Sequence, residues 1–274
     1  MNIRIIPRLD IKGPNLVKGV HLEGLRVMGK PESFAPRYYA DGADEIVYID
    51  TVASLYGRNN LADIVSRAAE HIYIPLTVGG GIRSVDDAGR LLDAGADKVA
   101  VNTAAVVRPP LLDALAAKYG RQCVVLSLDA KRSGTRDGWD VVVRSGSESA
   151  GVDAVGWAQE AARRGAGEIL LTSFDKDGTR SGYDTALLRA VSDAVQIPVI
   201  ASGGAATPKD LGVAFEAGAD AALAASLFHD DDGRKWFLNM QWNHRTESFG
   251  GAPQSPAFDG ILMQEWDAGT KTLK

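Results

Sequence analysis

A single cysteine, Cys123, leaves the chain without any possible internal disulfide. Long hydrophobic runs are missing too: none approaches the roughly 20 residues of a membrane span, so no membrane partner is expected. Met1 leads straight into Ile3-Arg4-Ile5-Ile6 without the pattern of a signal peptide, and the expected site of action is cytoplasmic. There is no excess of positive charge. The 30 Lys and Arg against 35 Asp and Glu give a net charge of −5, which excludes a broad basic surface for nucleic acid; an anionic ligand must be held by a local cluster. The four histidines, His21, His71, His229 and His244, fall at no metal-ligand spacing, so neither a metal nor a cofactor is expected. These absences leave a small-molecule enzyme, with small molecules or other proteins as partners.

What is present is a regular alternation. Eight short apolar runs, at 4–9, 45–49, 76–78, 98–101, 123–128, 168–172, 199–201 and 221–224, are separated by stretches with helical apolar spacing. Most are apolar on successive residues, as strands of a parallel sheet buried on both faces must be. Ser84 and Thr207 stand where helix starts need a cap, and Gly95 and Gly218 where helix ends favour a left-handed residue. The expected fold is a single α/β domain, a (β/α)₈ barrel over residues 1–242. A β-hairpin is inserted at about 132–152, around Trp139-Asp140-Val141-Val142-Val143, and an irregular tail occupies 243–274.

The chain also repeats itself. Residues 75–103 align without a gap to 198–226 at an offset of 123, with identity at 9 of 29 positions: Pro75, Gly80, Gly81, Asp87, Gly89, Ala94, Gly95, Ala96 and Asp97. The same offset pairs Gly42-Ala43 with Gly165-Ala166, and an offset of 119 pairs Asp10 with Asp129. A period this long indicates a duplicated half-barrel, since solenoid repeats are far shorter.

In such barrels the chemistry lies at the C-terminal strand ends. Asp10 and Asp129 fall there on strands one and five, which face each other across the mouth, where two carboxylates can serve as an acid and base pair. One such aspartate would read as a loop cap; two at duplicated strand ends point to chemistry. Gly79-Gly80-Gly81 and Ser202-Gly203-Gly204 open the third and seventh loops, where backbone N–H groups can approach an anion closely beside a helix N-terminus. Asn102-Thr103 and Ala225-Ser226 end the neighbouring strands and add amide or hydroxyl groups. The implied ligand carries a phosphate at each end. The stretch from Thr172 to Thr179, with Asp177 and Gly178, is dense in donors and acceptors and can close over the second phosphate. Lys18 and Arg26 belong to a long first loop, expected to be a mobile lid.

Ile5-Ile6-Pro7, Leu9-Asp10, Val17-Lys18-Gly19, Val78-Gly79-Gly80-Gly81-Ile82-Arg83, Leu128-Asp129-Ala130-Lys131-Arg132, Asp177-Gly178-Thr179 and Ala201-Ser202-Gly203-Gly204 resemble the cyclase subunits of imidazole glycerol phosphate synthase, the HisF family, over roughly residues 3 to 230. The resemblance implies that ammonia and a bis-phosphorylated ribulosyl formimino carboxamide ribotide yield imidazole glycerol phosphate and aminoimidazole carboxamide ribotide. It implies general acid and base roles for Asp10 and Asp129. One phosphate would be held at Gly81, Asn102 and Thr103, the other at Asp177, Gly178, Gly204 and Ser226. It further implies a glutaminase subunit (HisH-like) docked at the N-terminal barrel face, near Asp97, with Arg4, Glu45, Lys98 and Glu168 as a charged ammonia gate. The same four residues also suit a purely structural salt-bridge plug. The sequence departs from the family pattern at Arg8, where a small residue or cysteine is usual, at His21, in the second loop from Asp50 to Tyr56, and beyond His229. An Arg8 facing the mouth is expected to lower the pKa of an aspartate. Two further readings stand beside the cyclase: a paralogue supplying ammonia for amidation of a surface-polysaccharide sugar, and a catalytically silent ammonia-channelling scaffold.

Overall fold

The computed structural model describes residues 4–20, 23–53 and 61–229, together with two short antiparallel strands, Trp266–Asp267 and Thr272–Leu273. His21, His244, most of the second loop and the rest of the tail expected from Asn243 lie outside the described residues.

The first strand, β1 (Arg4–Lys12), is followed by an antiparallel ribbon of β2 (Asn15–Val20) and β3 (Glu23–Gly29). Then come α1 (Pro31–Ala40), β4 (Ile46–Asp50), α2 (Ala62–Ala69), β5 (Leu76–Gly79), α3 (Val85–Asp93), β6 (Lys98–Val101), α4 (Thr103–Val107) and α5 (Pro110–Tyr119). The second half holds β7 (Val124–Arg132), a second ribbon of β8 (Trp139–Val143) and β9 (Glu148–Asp153), α6 (Ala154–Arg163), β10 (Glu168–Ser173), α7 (Thr185–Ser192), β11 (Val199–Ser202), α8 (Pro208–Glu216), β12 (Ala221–Ala224) and α9 (Ser226–His229). Strands β1, β4, β5, β6, β7, β10, β11 and β12 pair in parallel in that order, and β12 pairs with β1 to close the barrel. All eight expected strands form. The chain is thus a (β/α)₈ barrel.

Two strands outrun their expected ends for one reason. Past Leu9, β1 continues to Lys12 because Asp10 pairs with Val17 on β2; past Leu128, β7 continues to Arg132 because Asp129 pairs with Val142 on β8. Each half therefore carries an antiparallel ribbon at the same place. The first was expected as a long loop; it is instead a two-stranded ribbon, its backbone groups paired in a ladder between β2 and β3.

Repeated sequence makes repeated contacts. Asp87 accepts hydrogen bonds from the backbone N–H of Arg83 and Ser84, and its duplicate Asp210 accepts them from Ala206 and Thr207, fixing the start of α3 and of α8. The Asp of each Gly-Ala-Asp turn ties down the start of a neighbouring strand: Asp97 accepts from Leu76 N–H at 2.8 Å and Asp220 from Val199 N–H at 2.9 Å. Asp44 does the same for Ile5 N–H at 2.8 Å. Gly167 takes the fourth such place because a side chain there would have its Cβ 2.1 Å from the Arg121 carbonyl.

The lumen is layered. At the strand starts lies a charged ring of Arg4, Glu45, Lys98 and Glu168. Above it an apolar plug of Ile6, Val47, Ala100, Val125, Leu170, Ile200, Ala221 and Leu223 fills the barrel. Alternation along the strands then brings polar residues to the mouth, with Arg8 and Asp10 following Ile6 on β1, and Ser127 and Asp129 following Val125 on β7. Between barrel and helices runs the larger apolar core. Among the described residues no helix is long and apolar enough to cross a membrane.

Candidate active site

Two recesses open at the C-terminal rim, one for each half of the duplication. The first, a cavity of about 620 Å³, is walled by Gly80, Gly81, Asn102 and Thr103, reaches down to Asp129 and Leu170, and is rimmed by Arg83, Arg108 and Arg144. The second is smaller and is formed by Asp177, Gly178, Gly203, Gly204 and Ser226, with Asp10 and Arg180. Arg8 lines both. The expected binding residues thus separate into the two sets anticipated from the repeat. Thr172 and Lys18 line neither recess: Thr172 lies in register with Asp129 on the adjoining strand, and Lys18 is half-buried on β2.

The glycines are there for space. Gly80 has φ +99°, and a Cβ on it would lie 2.4 Å from the Asp50 carbonyl; Gly204 has φ +103°, and its Cβ would lie 2.2 Å from the Gly182 carbonyl. Any side chain at these turns would collide with backbone as well as strain its own conformation. Replacing Gly204 by Ala is expected to weaken inorganic phosphate binding about tenfold or more, roughly 1.4 kcal/mol, in a calorimetric titration of the folded protein. An unchanged affinity would remove this turn from the anion site.

Asp10 and Asp129 stand on the two sides of the mouth in unlike company. Asp10 forms an ion pair with Arg8, whose Nε donates to its Oδ1 at 2.8 Å. Asp129 accepts from the Asn102 Nδ2 amide at 2.8 Å. Burial pushes both carboxyls up; the Arg8 charge pulls both down, and the Asp177 charge pushes them up again. The net direction for both is upward. Arg8 thus lowers both aspartates, as expected of a cation facing the mouth, but desolvation outweighs it.

Two polar atoms lining the recesses are buried with no hydrogen-bond partner among the described residues: Asn102 Oδ1 and Ser202 Oγ. Such atoms are costly unless something satisfies them, and both belong to strand ends facing the recesses. Ser202 was read only as part of its glycine turn. The cations Arg83, Arg108 and Arg144 were missed because surface arginines carry no signal of their own. Arg144 and Ser145, at φ +52° and +57°, form the tip of the second ribbon, which docks on the first recess: Arg144 N–H donates to Thr103 Oγ1 at 3.0 Å and Ser145 Oγ to the Thr51 carbonyl at 2.8 Å. Asp50, at the end of β4, is buried and accepts from the N–H groups of Val52 and Ala53.

At the opposite end of the lumen the charged residues form a closed ring. Arg4 bonds to Glu45 at 2.9 Å and to Glu168, and Lys98 bonds to Glu45 and to Glu168 at 2.9 Å each. Thr77, a residue the sequence did not single out, donates to Glu45 Oε1 at 2.6 Å.

A family model described as "Histidine biosynthesis protein" matches residues 4–234. Over 203 residues the chain is 61% identical to imidazole glycerol phosphate synthase subunit HisF of Legionella pneumophila, covering 74% of this chain and 95% of that protein. Against the subunit HisF of Myxococcus xanthus identity is 55% over 228 residues, 83% of this chain and 89% of the other. The chain belongs to the HisF family, the imidazole glycerol phosphate synthase subunits of histidine biosynthesis. A third HisF relative, from Corynebacterium diphtheriae, is 52% identical over 232 residues, 83% of this chain and 90% of its own length. The family-model match takes in both recesses, both aspartates and the charged ring, since all of them fall within residues 4–234.

Proposed function

We propose that this HisF-family chain catalyses the cyclase reaction, in which ammonia and the bis-phosphorylated ribulosyl formimino carboxamide ribotide give imidazole glycerol phosphate, aminoimidazole carboxamide ribotide and one water. The observation that carries this reading is the arrangement of the mouth, where each of two recesses is lined by one half-buried carboxylate of the duplicated pair, Asp129 in the first and Asp10 in the second. A ligand with a phosphate at each end spans the recesses and sets its central carbonyl between Asp10 and Asp129. Ammonia adds at that carbon and the oxygen leaves as water, so one group must give a proton to the departing oxygen and another must take one from nitrogen. Two carboxyls whose pKa values are raised toward neutrality suit those tasks.

Gly80, Gly81, Asn102 and Thr103 hold the first phosphate, helped by the neighbouring arginines. Asp177, Gly178, Gly203, Gly204 and Ser226 form the second site through backbone N–H and hydroxyl groups. Lys18 on the first ribbon and Thr172 beside Asp129 face the middle of the ligand. A HisH-like glutaminase supplies ammonia from the N-terminal face, where Arg4, Glu45, Lys98 and Glu168 form the gate below the apolar plug. The ring's closed pairing supports a gate that opens only by exchanging partners.

The test is turnover of the ribulosyl substrate by the purified chain in ammonium salt, without a glutaminase. Formation of both products in equal amounts is expected, with a rate that rises with free ammonia. Absence of conversion under conditions where another cyclase subunit works would overturn the reading.

A further inference from the structure

The two halves of the barrel agree at the carboxylates and disagree around them. At the repeat offsets Asp10 corresponds to Asp129, Arg8 to Ser127, Ala225 to Asn102 and Ile49 to Thr172. The register confirms the correspondence on the following strand: Asp10 lies beside Ile49 on β4, and Asp129 beside Thr172 on β10. Around Asp129, then, the three positions are Ser127, Asn102 and Thr172, all neutral and polar. Around Asp10 the same three positions are Arg8, Ala225 and Ile49, one cation and two apolar residues. The duplication has kept the acid and base groups and differentiated their settings.

Arg8 makes that difference. Its side chain lies in the lumen above the apolar plug, only 8% exposed, and forms the shared wall of both recesses. A buried guanidinium needs a counter-charge, and it has a direct one in Asp10 at 2.8 Å. The elements packed around Asp10 bring other charged groups to the mouth: Lys12 on its own strand, Lys18 on β2, Asp50 on β4, Asp129 on β7, and Asp177 and Arg180 in the loop after β10.

We infer that Arg8 is a positioning residue that breaks the symmetry of the duplicated pair, fixing Asp10 as the ionised base and leaving Asp129 to carry the proton as the acid. The inference rests on the proposed cyclase chemistry for its consequence but not for its geometry. Asp10, ion-paired, takes the proton that nitrogen releases. Asp129 has no ion pair of its own among the described residues, feels Arg8 only at a distance, and keeps its proton for the departing oxygen. Burial raises both carboxyls and the Arg8 charge opposes it at both, but only Asp10 is also hydrogen-bonded to the guanidinium, at 2.8 Å.

The test is a carbon-13 NMR titration of aspartate carboxyl groups in the full-length chain, with Asp10→Asn and Asp129→Asn assigning the two signals. Asp10 is expected to titrate at least about one pH unit below Asp129 in the unaltered protein, within the range that one adjacent arginine produces. Arg8→Gln should raise Asp10 to Asp129 or above it, and Arg8→Lys should preserve the order. Coincident or reversed titration in the unaltered protein overturns the inference, as does an Arg8→Gln protein in which Asp10 does not move. If Arg8→Gln fails to fold, the order in the unaltered protein and in Arg8→Lys decides. The ordering requires no turnover, so an inactive chain with the expected order would sink only the proposed reaction. In an active chain, Arg8→Gln should also move the acidic limb of the kcat profile upward by about one pH unit, a shift that a merely structural arginine would not cause.

Discussion

Asp129→Asn is expected to lower ammonia-dependent kcat by about a thousandfold or more, within the range that loss of a positioned proton donor produces, while the affinity for the bis-phosphorylated ligand changes by less than about threefold. The side chain keeps its shape and still offers an oxygen to the Asn102 amide that now bonds Asp129 Oδ2, so the mouth retains its geometry. What it loses is the ability to carry a proton. Asp10→Asn is expected to cost a similar factor, although the Arg8 guanidinium then lacks its ion-pair partner and stability falls as well. Steady-state kinetics and a direct binding measurement on the same samples separate the two effects. Either variant retaining more than about a tenth of the rate would remove that residue from proton transfer.

The second large effect is on stability. Glu45 is 1% exposed, and its carboxylate holds Arg4, Lys98 and Thr77 together at the bottom of the barrel. Glu45→Ala leaves two cations sharing Glu168 above a cavity, and breaking a buried pair in this way costs about 3–5 kcal/mol. For a chain of this size the thermal midpoint should fall by roughly 10 °C. Glu45→Gln, which can still accept from Thr77, should lose less. A Glu45→Ala protein that melts within about 2 °C of the parent would show that the ring contributes little to the fold and that its pairing serves passage alone.

Much of this architecture was legible before any coordinates. The eight strands follow from apolar runs punctuated by Gly, Pro and Asp; the repeat at an offset of 123 located both glycine turns and both helix caps, and the offset of 119 both carboxylates. The turns could be read because Gly80 and Gly204 answer to local backbone demands, positive φ and close carbonyls, which leave glycine as the residue that fits. The first ribbon was not legible in the same way. Masking by Lys18, Gly19 and Arg26 hides the alternation of β2 and β3, although the repeat held the clue: a hairpin after strand five predicts one after strand one.

Other features were illegible for a physical reason. Thr77 bonds to Glu45 across a separation of 32 residues, and Arg144 and Ser145 meet Thr103 and Thr51 through the folding of a whole hairpin. Nothing local in the sequence marks such contacts. The lowering influence of Arg8 on Asp10 could be read from the sequence, whereas the desolvation that outweighs it could not. The Asp97 carboxylate, which the family resemblance puts near the docking face, is bonded to the Leu76 amide and has a structural task shared with its duplicate Asp220.

The most direct test of the account is a crystal structure of the Asp129→Asn protein soaked with the bis-phosphorylated ribulosyl substrate. One ligand per barrel is expected, with one phosphate on the N–H groups around Gly80, Gly81 and Thr103, the other on those around Gly203, Gly204 and Ser226, and the ribulosyl carbonyl between residues 10 and 129. Two ligands each occupying a single recess, or one ligand with a phosphate in solvent, would contradict the claim that the duplicated halves build one elongated site.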